Sequence, residues 1–559
     1  MSETITIYCK NNNTYKEVPI GSSLLDIYTM MGAPLRYRPM NAKVNNKVEG
    51  LNFHCWHPKD VEFVDYTQLS GLRTYVRSLC HIFSKAVNDV LPSATLNLEH
   101  PISKGYYCVI HNGKKIDLET IDKIKKRMRE IIDADMPFLH KTVRTVDAAV
   151  LFRERGMNDK ARLIETAGMP YTSYYELDGY INFFYGCLTP STGYIQLFDI
   201  VPYFDGVLLQ IPKRSNPLEL EPAITQDKMF EAYKEHLTLQ RTLDLNNVGD
   251  LNRAIEKGHT SEIIMVSEAM QEKQVAKIAE EIAKRYEEGV RIVLISGPSS
   301  SGKTTFCKRL EVQLITNLIH PVAISLDDYF LNREDTPKDE TGDYDFESLY
   351  ALDLPYFNSE MKDLLAGKEI EVPTFDFGSG KRIYKGKKLK MRENSVLVIE
   401  GIHALNPELT SMIEDKYKYR VYVSVLTSIS LDNHNWIPTT DNRLLRRIIR
   451  DYRFRGYSAK DTIARWPSVR RGEDKWIFPY QENADAMFNS AMLYELAALR
   501  KFAEPILAEV RESDEENAEA YRLLRFLRYF NYIPDVGLPG TSLLREFLGE
   551  EVSGIKKTD

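Results

Sequence analysis

The sequence predicts an α/β fold in which a mainly parallel, doubly wound sheet surrounds a phosphate-binding loop, preceded by two smaller mixed units. Three observations carry this expectation. Residues 297 to 305 read GPSSSGKTT, which meets the pattern GxxxxGK[ST] at every fixed position. From residue 281 onward, apolar β-branched runs alternate with stretches of helical periodicity, as in strands and helices wound on both faces of a sheet. The front of the chain opens on the alternating run TITIYC, turns at NNN, and reaches VPIGSSLLDIYTMMG, a strand, strand, helix signature.

Length and composition bound the answer. A chain of 559 residues exceeds one ordinary core, and about one domain per 150 residues implies three or four units. With 43% hydrophobic and 27% charged residues the composition is globular, and no apolar run approaches the roughly 18 residues of a membrane span. The opening MSETITIYCKNNN lacks a basic stretch followed by an apolar one, so no secretory signal is expected. Six cysteines (Cys9, Cys55, Cys80, Cys108, Cys187, Cys307) are scattered without a CxxC pair, which argues against a disulfide framework or a zinc ribbon and for a reducing cytoplasm. A formal net charge of −7 gives no global reason to expect nucleic-acid binding.

Taken in order, Ser22 or Ser23 can cap the first amphipathic helix, and KVNNKVEGL and DVEFVDY supply further strands to a unit over residues 1–66. A second unit over 67–213 carries AVNDVLPSATL, the helix DLETIDKIKKRMREII and the run YELDGYINFFYGCLTP. Residues 214–280 read as a helical linker with breaks at NNVGDLN and EKGHTSE. The charge run EAMQEKQVAKIAEEIAKRYEE there predicts a solvated helix face with i, i+4 ion pairs. The remainder, 281–559, is the phosphate-loop domain with a C-terminal helical extension after about residue 500, where the helical, aromatic YRLLRFLRYFNYIPD predicts packing.

Each part of the loop has a physical role. RIVLIS before it predicts a buried strand and FCKRLEVQL after it a helix. Gly297 and Gly302 let backbone N–H groups turn toward phosphate at the helix N-terminus, and Ser299, Ser300, Ser301 and Thr305 complete the cradle. Lys303 can reach the β- and γ-phosphates, and Thr304 can ligate Mg²⁺. The next strand, PVAIS, runs into LDDYF, placing Asp327 and Asp328 at the carboxyl end of a strand, where such sheets bind ligands. A carboxylate there can accept the proton of an attacking hydroxyl or help to hold Mg²⁺; the bland alternative is a turn cap. The strand SVLVIEGIHAL ends in Glu400, the expected second acid beside the metal, and Gly401 lets the chain turn away. Arg443, Arg446, Arg447, Arg450, Arg453 and Arg455 crowd the helix TTDNRLLRRIIRDYRFRG, one face of which can point at phosphate as a closing lid.

These motifs carry resemblances. Residues 1–66 resemble a TGS domain, the β-grasp module at the front of threonyl-tRNA synthetases. Residues 67–213 resemble the editing-type, α+β second domain of the same enzymes. The metal-type set of that domain, HxxxH and CxxxH, falls here on Arg77, His81, Phe184 and Leu188; only His81 retains a ligand type, which implies an inactive editing fold. GPSSSGKTT, SLDDYF, DYDFESLYALD, PTFDFGSGKR, VIEGIHAL and RLLRRIIRDYRFRG occur in the order of the uridine kinase and phosphoribulokinase family. The whole arrangement is similar to long bacterial proteins described as uridine or nucleoside kinases.

The kinase resemblance implies Asp327 as catalytic base, with Lys303, Arg446 and Arg450 in the catalytic set and Thr304 and Glu400 at Mg²⁺. It places the acceptor against Asp327, Phe330, Glu347, Phe375, Phe377 and Arg443. The family's acceptor histidine falls on Gly380, and its acceptor aspartate on Glu347. Together these readings predict a cytoplasmic kinase using ATP or GTP and Mg²⁺ to phosphorylate the 5′-hydroxyl of a nucleoside, uridine or cytidine first. Two alternatives stay open: a kinase of another small hydroxyl acceptor, and an RNA-linked protein using nucleotide binding as a switch. No membrane partner is expected, and RNA contact by the front units and oligomerisation stay open.

Overall fold

The computed structural model describes residues 3–549 except 114, 340, 341, 377, 535 and 536. The front unit contains β1 (Thr4–Cys9), β2 (Thr14–Pro19), β3 (Ser22–Ser23), α1 (Leu24–Met31), β4 (Pro39–Val44), β5 (Lys47–Glu49), β6 (His54–Cys55) and β7 (Lys59–Asp65). Its sheet runs β2-β1-β7-β4-β5, with β1 and β7 parallel at the centre and the helix laid across them, a β-grasp arrangement. Local chemistry sets the helix start: Ser23 accepts from the Asp26 amide while the Asp26 carboxylate accepts from Ser23, a reciprocal capping box. The alternation of TITIYC sends Ile5, Ile7 and Cys9 into the core.

A second unit follows: α2 (Leu69–Val90), β8 (Thr95–Ile102), β9 (Gly105–His111), α3 (Leu118–Asp133), β10 (Leu139–Arg144), α4 (Thr145–Glu154), α5 (Asn158–Thr166), β11 (Tyr171–Leu177), β12 (Tyr180–Asn182), β13 (Asp199–Tyr203) and β14 (Gly206–Gln210). Its two sheets run β13-β14-β9-β8 and β10-β11-β12. Then come α6 (Asp227–Thr242), α7 (Val248–Glu256) and α8 (Thr260–Glu287). The solvated, short-helix linker expected here is corrected by α8, which is 28 residues long and buries Ile263, Ile264, Val275, Ile278, Ala279 and Ile282. With Ser267, Gln271 and Gln274 buried between them, these positions recur every three or four residues, so a buried stripe, apolar at both ends, lies beneath the dense surface charge.

The remaining elements are β15 (Ile292–Ser296), α9 (Lys303–Thr316), β16 (His320–Ser325), α10 (Leu354–Leu365), β17 (Ile370–Asp376), β18 (Lys381–Leu389), β19 (Ser395–Glu400), β20 (Lys418–Ser424), α11 (Thr439–Arg455), α12 (Ala459–Trp476), β21 (Ala486–Asn489), α13 (Glu495–Ala508), α14 (Asn517–Leu527) and α15 (Arg545–Leu548). The sheet order is β16-β19-β15-β20-β21, and each of these pairings is parallel. Alternate residues of one strand feed opposite cores, which is why these strands read as continuous apolar runs. In β15, Val293 and Ile295 face the core holding α9 and α13, whereas Ile292 and Leu294 face the core holding α10 and β17. The doubly wound sheet inferred from the sequence is therefore present, with β16, β19 and β15 ending side by side.

Candidate active site

The loop between β15 and α9 owes its shape to two glycines. A side chain at Gly297 would place its Cβ 2.2 Å from the Val423 carbonyl oxygen, so only glycine fits between β15 and β20. Gly302 caps α9 with φ +86°, a left-handed conformation that favours glycine. Ser300, at φ 59°, puts a left-handed turn into the loop, the kind of backbone bend from which anion-binding nests are built. The hydroxyls of Ser300 and Ser301 are buried and find no hydrogen-bond partner, the state expected of groups lining a cradle for a polar ligand.

Around this cradle, three strand ends bring charge together. Lys303 begins α9, and its ammonium donates to the carbonyls of Gly297 and Pro298 at 2.8 and 3.1 Å. Burial lowers its pKa, opposed by the nearby Glu400 and Asp327 carboxylates. The Thr304 hydroxyl, open to the cleft, donates to Glu400 at 3.3 Å. Glu400 ends β19, and burial pushes its pKa up to about 7, with Lys303 pulling down and Asp327 pushing up. Asp327 lies in the turn after β16 with its surface open to the cleft, yet the surrounding protein raises its pKa against the pull of Lys303 and Arg455. A hard-oxygen pair, Thr304 and Glu400, beside a glycine-bent loop at the N-terminus of α9 suits a magnesium ion and polyphosphate.

Asp328 does something different from its neighbour. Its carboxylate accepts from the Phe375 amide at 3.3 Å and ties the β16 turn to β17. On this side of the cleft, the rings of Phe330 and Phe375 meet edge to face with centroids 5.5 Å apart, and Phe346 stands against Phe330 at 6.0 Å. Glu347 packs against α12 where Gly472 leaves room, since a Cβ there would sit 2.5 Å from that of Glu347. Burial, reinforced by Glu473, raises the Glu347 pKa to about 7. At Gly380 the neighbour is Arg333, whose amide donates to the Gly380 carbonyl at 2.8 Å. Phe377 lies outside the described residues.

The arginine helix departs most from expectation. Arg446 is completely buried, paired with Glu495, and donates to the Ser300 carbonyl at 3.3 Å. Arg443 is 1% exposed and paired with Glu473, and it donates to the Ser299 carbonyl at 3.2 Å. The structure thus sets both guanidiniums against the loop backbone with their charge met by acids, rather than on a face presented to phosphate. A buried guanidinium must be paired, and Glu473 on α12 and Glu495 on α13 do the pairing. Arg447 reaches the Ser299 hydroxyl at 2.7 Å, while Arg450 is held by Asp451 at 3.0 Å. Residues absent from the sequence reading complete the site: Glu473, which accepts from the Ser299 amide at 3.1 Å, Glu495, and Glu546 on α15, which accepts from Thr305. They lie 30 to 241 positions from the loop residues and α11 arginines they meet, so the sequence around them does not point to the site.

The positions matching the synthetase metal set lie elsewhere. Arg77, Phe184 and Leu188 line a cavity of about 670 Å³ shared by the second unit, α12 and α14. Arg77 spans it, donating to the Cys187 carbonyl at 3.1 Å and the Thr74 hydroxyl at 3.3 Å. His81 is fully buried among the rings of Phe138, Tyr180 and Phe184, and burial pushes its pKa down to about 3.

The comparisons with known proteins divide along the same line. The profile of the phosphoribulokinase / uridine kinase family matches residues 292–496. A uridine kinase of Staphylococcus aureus is 30% identical over 197 residues, 35% of this chain and 84% of the relative. A threonine–tRNA ligase of Citrifermentans bemidjiense is 25% identical over 249 residues, 43% of this chain, and the chain spans 39% of that relative's length. A solved structure described as a possible uridine kinase of Bacillus stearothermophilus aligns over 38% of this chain and 97% of its own at 17% identity, with a TM-score of 0.25. The chain belongs to the phosphoribulokinase / uridine kinase family, and its front region is similar to threonyl-tRNA synthetase domains.

Proposed function

We propose that this member of the phosphoribulokinase / uridine kinase family transfers the terminal phosphoryl group of ATP or GTP to the 5′-hydroxyl of a nucleoside, uridine or cytidine first. The supporting observation is the meeting of Lys303, Thr304, Asp327 and Glu400 at the carboxyl ends of β15, β16 and β19. In this reading the loop amides hold the donor, and the Lys303 ammonium exchanges its carbonyl contacts for phosphate oxygens. Thr304 and Glu400 would hold a magnesium ion, which supplies positive charge between donor phosphates. The Asp327 carboxylate orients the acceptor hydroxyl and takes its proton as the new P–O bond forms. Phe330 and Phe375 give a base an apolar wall, and Glu347 offers a hydrogen-bonding carboxyl group beside it.

A second reading, transfer to a small hydroxyl acceptor other than a nucleoside, draws support from Arg333 at Gly380. A guanidinium where the family resemblance has an imidazole suits an acceptor that carries an anion. One experiment separates the readings. ADP release is followed across nucleosides and sugar phosphates, with acceptor-free hydrolysis as the baseline. Uridine or cytidine turnover is expected to dominate, dominance of a sugar phosphate moves the assignment, and turnover never exceeding the baseline removes both. The front region we infer to be a binding or structural element without deacylase activity, because an arginine and packed apolar groups stand where ligands would be needed.

A further inference from the structure

The feature of the loop that a donor site does not require is its covering. Glu546, on the four-residue helix α15, places its carboxylate on the first turn of α9. It accepts from the Thr305 hydroxyl at 2.7 Å and from the Thr305 amide at 3.3 Å. The first-turn amides of a helix have no intrahelical acceptor, and behind a glycine-rich loop they are the donors that meet phosphate oxygens. The same segment presses on the loop itself. A Cβ at Gly302 would lie 2.7 Å from a Leu543 methyl group, so Leu543 sits directly on the cap of α9. Leu543, Leu544 and Phe547 are completely buried, and the Arg446 guanidinium lies 5.0 Å from the Phe547 ring. The negative charge at this point also bears on the site's titration, since Glu546 acts on both Lys303 and Glu400.

We infer that the segment from Leu538 to Leu548 is an autoinhibitory plug, in which the Glu546 carboxylate stands in for a donor phosphate on Thr305 and must leave before nucleotide can seat. The inference rests on the reading of 297–305 as a phosphate loop. A second carboxylate acts in the same sense, because Glu473 occupies the Ser299 amide at 3.1 Å. Glu473 is committed to Arg443 and Arg470 in the protein interior, whereas Glu546 accepts from Thr305 alone among the described contacts. Glu546 is therefore the group that release would move. A state seated in 90 to 99% of molecules weakens apparent nucleotide affinity about 10- to 100-fold.

The test is calorimetric titration of the full chain with ADP, in EDTA and in magnesium buffer, for wild type, Glu546→Gln, Leu543→Ala and Lys303→Ala. Both plug variants are expected to bind ADP at least about tenfold more tightly than wild type in both buffers. Hydrogen exchange on wild type needs no variant: amides of 538–548 should exchange faster once ADP saturates the protein. If wild type binds ADP and Lys303→Ala does not, the phosphate loop stands. Unchanged or weaker binding by Glu546→Gln would then overturn the plug alone, as would a change confined to magnesium buffer, which would make Glu546 a metal-side group. Should Glu546→Gln fail to fold, Leu543→Ala and the exchange data decide. No binding by any form would overturn both inferences.

Discussion

The cleft at the phosphate loop and the cavity in the front region differ in what became of their ionisable groups. In the cleft at the ends of β15, β16 and β19, Lys303, Asp327 and Glu400 face one another with mutually shifted pKa values. In the front cavity of about 670 Å³, a guanidinium tied to backbone and two packed apolar side chains stand at the lining, while the fourth position, His81, is sealed among rings away from it. The contrast teaches that volume is a poor guide to chemistry. A cavity becomes reactive when titratable groups converge on a point that a substrate can reach, and of these two the cleft comes nearer to that condition.

The comparison breaks first at Lys303. Lys303→Ala should lower kcat on the order of 10³- to 10⁵-fold, the range for a cation placed on a transferring phosphoryl group. The fold should survive, with a circular dichroism melt close to wild type. Arg77→Ala, the matching deletion in the front cavity, should leave kcat within about twofold, since a residue that touches no reacting group carries no transition-state energy. Equal losses from the two would mean that the cleft is not the reactive site.

Within the cleft, Asp327→Asn should cost about 10²- to 10⁴-fold in kcat with donor affinity nearly untouched, because asparagine keeps the volume but cannot take the proton. Asp328→Asn should cost less, its carboxylate being engaged by the Phe375 amide. If the larger loss falls at Asp328, measured with the same acceptor, the base has been placed on the wrong carboxylate. A loose transition state with little proton transfer would bring the Asp327 effect to the low end of that range.

What was readable in the sequence follows from how local each feature is. GPSSSGKTT, the strand ends at Asp327 and Glu400 and a serine cap at residue 22 or 23 are each set within a few residues; the loop and strand ends form where the pattern places them, and the cap falls on Ser23. The buried stripe of α8 was hidden by charge density rather than by distance. The partners of the arginines were beyond reach, since Arg446 meets Glu495 only after α11 and α13 pack, and the phosphate-facing role expected from guanidinium spacing presupposed that no acid arrives. Glu546 lies eleven residues past the aromatic run 521–535, in a stretch to which no motif points.

Arg446 sharpens the comparison in stability rather than rate. Removing one partner of a fully buried ion pair leaves an uncompensated charge at a cost of about 3–5 kcal/mol. Arg446→Ala should therefore lower the urea midpoint strongly before any catalytic effect can be assigned. Arg450→Ala, whose side chain is 15% exposed and bound to Asp451, should leave the midpoint nearly unchanged and lower kcat about 10- to 10³-fold if the helix closes on the phosphates. A rate loss at Arg446 without a stability loss would return that residue to the catalytic set.

The smallest expected effect tests the front site through His81. Its folded pKa of about 3 lies below the ordinary value of 6.5 because burial disfavours the imidazolium. Between those limits the unfolded chain binds a proton that the folded one does not, so stability must fall as pH falls through this window and be fully present above it. From pH 7 to pH 5 the unfolded state gains about 1.5 pKa units of protonation, worth about 2 kcal/mol. His81→Leu, of similar volume in an aromatic pocket, should lose correspondingly less over the same interval, read as urea midpoints of full-length protein at the two values. A ligand histidine would behave otherwise: zinc would copurify in stoichiometric amount, and its removal by chelator would lower the midpoint at pH 7. Such zinc would show that the front site kept the chemistry its replaced ligands argue against, whereas parallel losses in wild type and His81→Leu would mean that burial does not hold this imidazole neutral.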